Sequence, residues 1–252
     1  MLTAKERPSD AGHWYSRNGA PTYTIQGANG KIRNTTLRDA RKHDLVPSVT
    51  TILNVAAKPA LTKWLQGQVL MAALTLPKIA SESEDEYIER IIEDSKAQGR
   101  AAADAGTDIH ASIQGFYEGH GTGRHEPHVL ACHKALEEAY GAQEWIAERA
   151  FAHELGYGGK CDLHADGIVV DVKTKDFSDP AKVDAYDDHM MQLAAYRVGL
   201  GMPAARCANV FVSRSVPGLV TVHHWSEEAL SRGFSMFCHL LSFWKLKHSY
   251  EP

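Results

Sequence analysis

The segment GGKCDLHADGIVVDVKTK, residues 158–175, constrains this chain more than any other, because Asp166-Gly167 is a preferred two-residue hairpin turn. The turn sets the register: Ala165 falls opposite Ile168, His164 opposite Val169, Leu163 opposite Val170, and Asp162 opposite Asp171. Alternation sends Cys161, Leu163, Ala165, Ile168, Val170 and Val172 to one uniformly apolar face that suits packing on helices. Asp162, Asp171 and Lys173 project from the other face. Two carboxylates side by side repel each other unless something offsets them. A hard divalent cation such as Mg²⁺ does so through oxygen ligation, and Lys173, two residues past Asp171, is placed to orient a water or steady a developing charge. Metal-assisted phosphodiester hydrolysis suits this trio. The same positions also suit an ordinary solvated hairpin face on which Lys173 neutralises the two aspartates.

With 252 residues, 44% of them hydrophobic, the chain can bury one sizeable core. Its formal net charge of −4 gives no overall attraction to a polyanion, so a nucleic-acid partner depends on local basic patches and bound metal. The clearest patch is Lys31, Arg33, Arg38, Arg41 and Lys42, with Lys175 a further candidate; a solvated loop is the other reading. The longest apolar stretch, Val69 to Leu76 with Thr75 inside it, is too short to cross a bilayer, and MLTAKERPSD has no signal-peptide core. A cytoplasmic protein, neither membrane-bound nor secreted, is expected. Cys132, Cys161, Cys207 and Cys238 stand singly and read as reduced and mostly core residues. His125, His128, Cys132 and His133 have helical spacing for zinc, but nothing later in the chain completes a zinc pattern.

The first dozen residues read as polar and loose, after which TYTIQ and KIRNTT flank GANG and predict a β-hairpin. PSVTTIL, with Pro47 suited to a first helical turn, opens a helical lobe that Leu61, Trp64, Leu65 and Val69 continue. The pattern is helical again from Ser83 to Gly119, with Gly99 and Gly106 expected to interrupt it. Another helix is predicted over 127–140, and then the period changes to two. Asp179-Pro180 as a start and Gly199 with Gly201 as a stop predict a helix of about twenty residues. Two strands flank Pro217-Gly218, and Ser226 opens an amphipathic helix with Leu230, Phe234, Phe237, Leu241 and Trp244 toward the core. Trp64, Trp145 and Trp244 are all read as packing residues and none as a base-stacking platform.

Asp162, then Asp171-Val172-Lys173, then Gln192-Leu193-Ala194-Ala195-Tyr196 follow an order that resembles the PD-(D/E)XK nuclease superfamily. The resemblance is to its RecB-like branch, whose signature is an aspartate, a D-x-K strand and a helix carrying Q-x3-Y. Gln192 and Tyr196 are four apart and share a helix face; without the hairpin upstream they read as an ordinary Gln beside a packed Tyr. AGTDIHASI, with His110, looks like the early histidine motif of the branch. LVPSVTTIL and KPALTKW are similar to the N-terminal region of phage exonucleases and mitochondrial genome maintenance exonucleases, which extends the likeness over most of the chain. Cys161 stands where the superfamily name has proline, and the cysteine spacing cannot reproduce the iron-sulfur cluster of some relatives, so none is expected. The resemblance implies that His110, Asp162, Asp171 and the Val172 carbonyl bind one or two Mg²⁺ or Mn²⁺ ions. It also implies that Lys173 positions or activates water and that Gln192 and Tyr196 orient the scissile strand. Glu148, on the strand AERAF, is a candidate further carboxylate or a solvent-facing strand residue.

The expected fold is α/β, a central mixed sheet of about five strands flanked by helices in a restriction-endonuclease-like core, with an N-terminal helical lobe. Residues 1–105 carry the hairpin and lobe and residues 106–252 the nuclease core, as parts of one unit. The implied function is a metal-dependent DNA exonuclease favouring single-stranded ends, in phage or bacterial DNA replication, recombination or degradation. Its place is the cytoplasm of a bacterium or phage-infected host, with a recombination or replication protein as candidate partner. A catalytically silent DNA-binding accessory protein, a structure-specific endonuclease and a small-molecule phosphoesterase stay open as alternatives.

Overall fold

The computed structural model describes residues 12–252, so nearly all of the polar first dozen residues lie outside the described part. The chain begins with β1 (Trp14–Tyr15), then the expected hairpin of β2 (Thr24–Gln26) and β3 (Ile32–Asn34), with Ile25 opposite Arg33. α1 (Leu37–His43), β4 (Val46–Pro47) and α2 (Val49–Leu53) follow. Pro47, expected in a first helical turn, instead ends β4 opposite Trp14. The helix is started one residue later by Ser48, whose Oγ accepts the Thr51 N–H at 3.0 Å and satisfies a donor that the first turn leaves open.

α3 (Pro59–Thr75) and α4 (Glu84–Tyr117) pair as a helical hairpin. α4 runs for 34 residues without the expected interruption at Gly99 or Gly106. Both glycines are contact points. A Cβ at Gly99 would meet the Trp64 ring at 3.6 Å, and one at Gly106 would lie 2.5 Å from Thr174 Oγ1. Close approach of α4 to its neighbours outweighs the ~1 kcal/mol that glycine costs in a helix. The division expected at 105/106 falls inside this one helix. The helical spacing in α3 is as expected, but its apolar residues meet little: Leu61, Trp64, Leu65, Val69 and Leu74 are all exposed. The reading of Trp64 as a packed residue is therefore corrected: its ring meets α4 at Gly99 but stays 43% exposed, because α3 packs chiefly on α4 and leaves much of its surface open.

After α5 (Glu126–Tyr140) come β5 (Ile146–His153), β6 (Tyr157–Ala165) and β7 (Ile168–Lys175), then α6 (Asp187–Gly199), β8 (Arg206–Ser213), β9 (Val220–Trp225) and α7 (Glu227–His248). The five long strands lie side by side in chain order, antiparallel except for the parallel pair β7 and β8, which needs the crossover that α6 supplies. α6 is shorter than expected: Asp179 caps only a single 3₁₀ turn, Pro180–Lys182. Lys175 accounts for this. Its Nζ donates to the Asp184 carbonyl at 2.7 Å and lies over the Tyr186 ring, tethering 184–186 to the end of β7 as extended chain.

Each face of the sheet carries its own core. On one, Ile109 and Ile113 of α4 and Val129 and Leu136 of α5 pack on Leu163, Val170, Val172 and Val210. On the other, Leu193 of α6 and Leu230, Phe237 and Trp244 of α7 pack on Val169 and Cys207 together with Trp14, Val49 and Ile52 from the start of the chain. This is the α/β architecture expected, a five-stranded mixed sheet between helical layers with an N-terminal helical region. Cys132, Cys161 and Cys207 are buried free thiols. Among the described residues no helix is long and apolar enough to cross a membrane.

Candidate active site

The turn of the β6–β7 hairpin pairs as its sequence dictates, with Ala165 opposite Ile168, His164 opposite Val169 and Leu163 opposite Val170. There the ladder stops, and Asp162 and Asp171 do not form the next rung. On the other edge of β6, Ala147 pairs with Leu163 and Arg149 with Cys161, so Glu148 and Asp162 fall between pairs. Glu148 sits at φ 56°, a left-handed conformation that a non-glycine residue adopts only at a cost. The alternation of β6 breaks at this irregularity. Cys161, expected on the face of Leu163, lies in the opposite core with Val169 and Leu193.

Asp162 is thereby turned into the fork between the strands. Its Oδ2 accepts the Val172 N–H at 2.8 Å, in the place of a backbone carbonyl. The N–H and C=O of one strand residue point the same way, so the Val172 carbonyl also faces the fork, where His110 Nε2 donates to it at 2.6 Å. A carbonyl only accepts, which puts the proton on Nε2; His110 Nδ1 lies 3.9 Å from Asp162 Oδ2. His110 comes from α4, which Gly106 holds against Thr174 one turn earlier.

Asp171 and Lys173 point to the α6 side. Lys173 Nζ donates to Asp171 Oδ1 at 3.0 Å and to Gln192 Oε1 at 2.9 Å, and Gln192 Nε2 donates to the Tyr196 hydroxyl at 2.9 Å. Asp171 is almost wholly buried, its side chain 2% exposed against 27% for Lys173. Burial raises the Asp171 carboxyl above its ordinary range, Lys173 pulls it back down, and the neighbouring Asp162 charge adds to the rise. Burial alone would lower the Lys173 ammonium, yet Asp171 and Asp162 more than reverse this and raise it. Burial also pushes the Tyr196 hydroxyl well up, so it stays a neutral partner for Gln192. All the expected catalytic residues, Asp162, Asp171, Lys173, Gln192 and Tyr196, thus lie in one connected cluster with His110 and Val172.

A histidine nitrogen, two carboxylates and a backbone carbonyl converge here, and the set suits a hard divalent cation in kind. Two like charges feel each other in a buried place, which favours a cation between them. Among the described residues, however, no three His, Cys, Asp or Glu side chains already stand at ligand spacing. His110 and the Val172 carbonyl satisfy each other, and Lys173 satisfies Asp171.

The remaining candidates are placed differently. Glu148 pairs with Lys160, while Arg33 forms a bidentate pair with Asp39 in the cap of α1 and Arg41 donates to the His248 carbonyl. Those two members of the expected basic patch are thus engaged in holding the fold, and Lys31, Arg38 and Lys42 are exposed outside the cluster. Lys175 lies close by, in a cleft of about 790 Å³ that Lys58, Trp64, Tyr186, Asp188 and Arg214 also line. Its charges are mixed: Lys58 pairs with Asp188 at 3.5 Å and Arg214 with Asp176 at 2.7 Å.

Two residues at the cluster went unnoticed in the sequence. His189, one turn before Gln192, is buried beside Phe211; burial and then the Lys173 charge hold its imidazole down at about 4. Asn209 of β8 is fully buried and donates from Nδ2 to Asp171 Oδ2 at 2.8 Å. The signal for it was one amide in the otherwise apolar run CANVFV, visible only with β7 known to lie alongside.

No known family model matches the chain, and no curated protein matches it in sequence. Among solved structures, it is similar to the alkaline exonuclease LHK-Exo from Laribacter hongkongensis, at 15% identity and a TM-score of 0.35 over 75% of this chain and 98% of that one. A protein designated SSO0001 matches at 17% identity and a TM-score of 0.32, over 71% of this chain and 86% of its own. Likenesses this distant leave the chemistry to be read from the residues themselves.

Proposed function

We propose that this protein is a divalent-metal-dependent exonuclease that removes nucleotides from DNA ends, with a preference for single strands, in the replication, recombination or degradation of bacterial or phage DNA. The observation that carries the reading is the opened hairpin, which brings His110, Asp162 and the Val172 carbonyl to one side of Asp171 and a Lys173–Gln192–Tyr196 chain to the other. An ordinary solvated hairpin face would need neither a parted ladder nor a buried aspartate. His110, Asp162, Asp171 and the Val172 carbonyl would hold one or two Mg²⁺ or Mn²⁺ ions, which supply Lewis acidity for phosphodiester hydrolysis when bound.

Lys173 Nζ lies 3.0 and 2.9 Å from the two Asp171 oxygens and donates to Gln192 Oε1, which holds its charge beside Asp171 to steady the attacking water and the charge that develops on the phosphate. Tyr196 is buried and acts through Gln192: by accepting from Nε2 it keeps Oε1 turned to Lys173. The strand would lie along the neighbouring cleft, where the exposed Trp64 ring offers a stacking surface to an unpaired base.

The test is incubation of end-labelled linear single- and double-stranded DNA and a covalently closed circle with Mg²⁺, Mn²⁺ or EDTA. Expected is metal-dependent shortening of the linear substrates, fastest on single strands and lost in Asp171→Ala and Lys173→Ala. Cutting of the circle would make the protein an endonuclease. DNA binding without cleavage under every condition would make it a silent accessory protein.

A further inference from the structure

β8 is the most buried strand of the sheet, and a buried side-chain amide there needs partners of its own. Asn209 is 0% exposed and stands beside Asp171 in the parallel β7–β8 register, with His223 of β9 opposite it on the far edge. Its Nδ2 donates to Asp171 Oδ2 at 2.8 Å, and its Oδ1 accepts from Trp225 Nε1 at 2.8 Å. The His223 ring packs against Trp225 at 4.4 Å between centroids and holds the indole in place.

The polarity of this chain is determined by chemistry. An indole N–H can only donate, so the Asn209 oxygen must face Trp225 and the NH₂ must face Asp171. Turned over, the amide would set its NH₂ against the indole N–H and its oxygen against a carboxylate, two repulsive contacts in a dry site. Asp171 is thereby held from the β9 side by Trp225 and Asn209 while Lys173 holds it from the other.

We propose that Asn209 and Trp225 are positioning residues for Asp171: they fix the orientation in which its carboxylate is presented to a divalent cation. The inference rests on the proposed reading of Asp171 as a metal ligand. Neither residue is required to touch substrate. Outer groups of this kind typically change metal affinity or activity by about 10- to 100-fold when removed.

The test compares wild type with Trp225→Phe, which keeps a ring in the packing but deletes the N–H, and with Asn209→Leu, which is close in volume but has no polar atoms. Mn²⁺ binding is measured by calorimetry on the protein without DNA, and kcat, KM and the Mn²⁺ dependence of cleavage are measured on a linear strand. The expected result is a Mn²⁺ dissociation constant raised about 10-fold in both variants. With it should go a cleavage rate that recovers at high Mn²⁺ in Trp225→Phe and a KM for DNA within about twofold of wild type. Should Asn209→Leu fail to fold, Trp225→Phe reads the same quantity. Lowered thermal stability with unchanged Mn²⁺ affinity and unchanged metal dependence would assign both residues to packing and overturn the proposal. A wild-type protein that binds Mn²⁺ but cleaves no DNA would overturn the nuclease reading instead, while the Mn²⁺ affinities would still decide the positioning role.

Discussion

At its turn, the β6–β7 hairpin is a closed ladder in which Leu163, Ala165, Ile168 and Val170 bury their side chains against α4 and α5. A few residues further on, the same two strands have parted, and the Val172 backbone groups between them are bonded to a carboxylate and a histidine in place of the partner strand. The closed end follows from local chemistry, since a two-residue turn and alternating apolar residues suffice. The open end needs three neighbours at once: Glu148 in its left-handed conformation on β5, His110 brought in by α4, and the Lys173 partners on α6. Stability should therefore be concentrated at one end of the hairpin and chemistry at the other.

Substitutions at the two ends should separate these properties. Asp171→Asn keeps the shape of the side chain and removes its charge, and it should lower cleavage by about 10³-fold while the protein stays folded, checked by single-turnover kinetics beside a thermal melt. Ile168→Ala at the closed end should do the reverse. A methyl-for-sec-butyl cavity at a site 1% exposed is expected to cost about 3 kcal/mol in denaturant unfolding, with cleavage per folded molecule unchanged. Loss of activity in that variant at temperatures where it is fully folded would show that the two ends are not independent.

Smaller effects test how the open end is held. Gly106→Ala should push α4 off β7 and cost about 1–2 kcal/mol, because the new Cβ meets Thr174 Oγ1 at 2.5 Å; Thr174→Ala in the same chain should restore most of it. No recovery in the double variant would mean that α4 is seated elsewhere.

The least effect should come from pH. His189 is held down at about 4, below the ordinary histidine range, so the folded state keeps it neutral while the unfolded chain takes up a proton. Stability from this residue is present above about pH 6.5 and is lost as pH falls from there toward 4. In His189→Asn, whose side-chain oxygen can still accept the Tyr186 N–H that Nδ1 now takes at 3.3 Å, the fall in melting temperature across that window should flatten. An identical pH profile would remove His189 from the electrostatics of the site.

Much of this was legible beforehand where a pattern is short and self-contained. The β2–β3 hairpin, the spans of α4, α5 and α7 and the register of the β6–β7 turn follow from turns, caps and periodicity, whereas the grouping of Gln192 and Tyr196 with Asp162, Asp171 and Lys173 came from the family resemblance. The misses share one cause, a neighbour distant in sequence. Gly106 reads as a helix breaker until Thr174 is placed against it, and Asp179-Pro180 reads as the start of a long helix until Lys175 takes the Asp184 carbonyl. Trp64 reads as core until α3 is found with one side bare.

The sequence by itself determined the hairpin and the register of its turn, the two-faced sheet, and which carboxylates and lysine stand near one another along it, because backbone geometry and side-chain type act over a few residues. Only the tertiary structure decided where the ladder opens, that Asp162 bonds into the fork and not across to Asp171, and that Asn209 and Trp225 stand behind Asp171. Those outcomes depend on which groups remain unpaired once strands and helices have docked, and a buried unpaired group is costly enough to favour the arrangement that gives these groups partners.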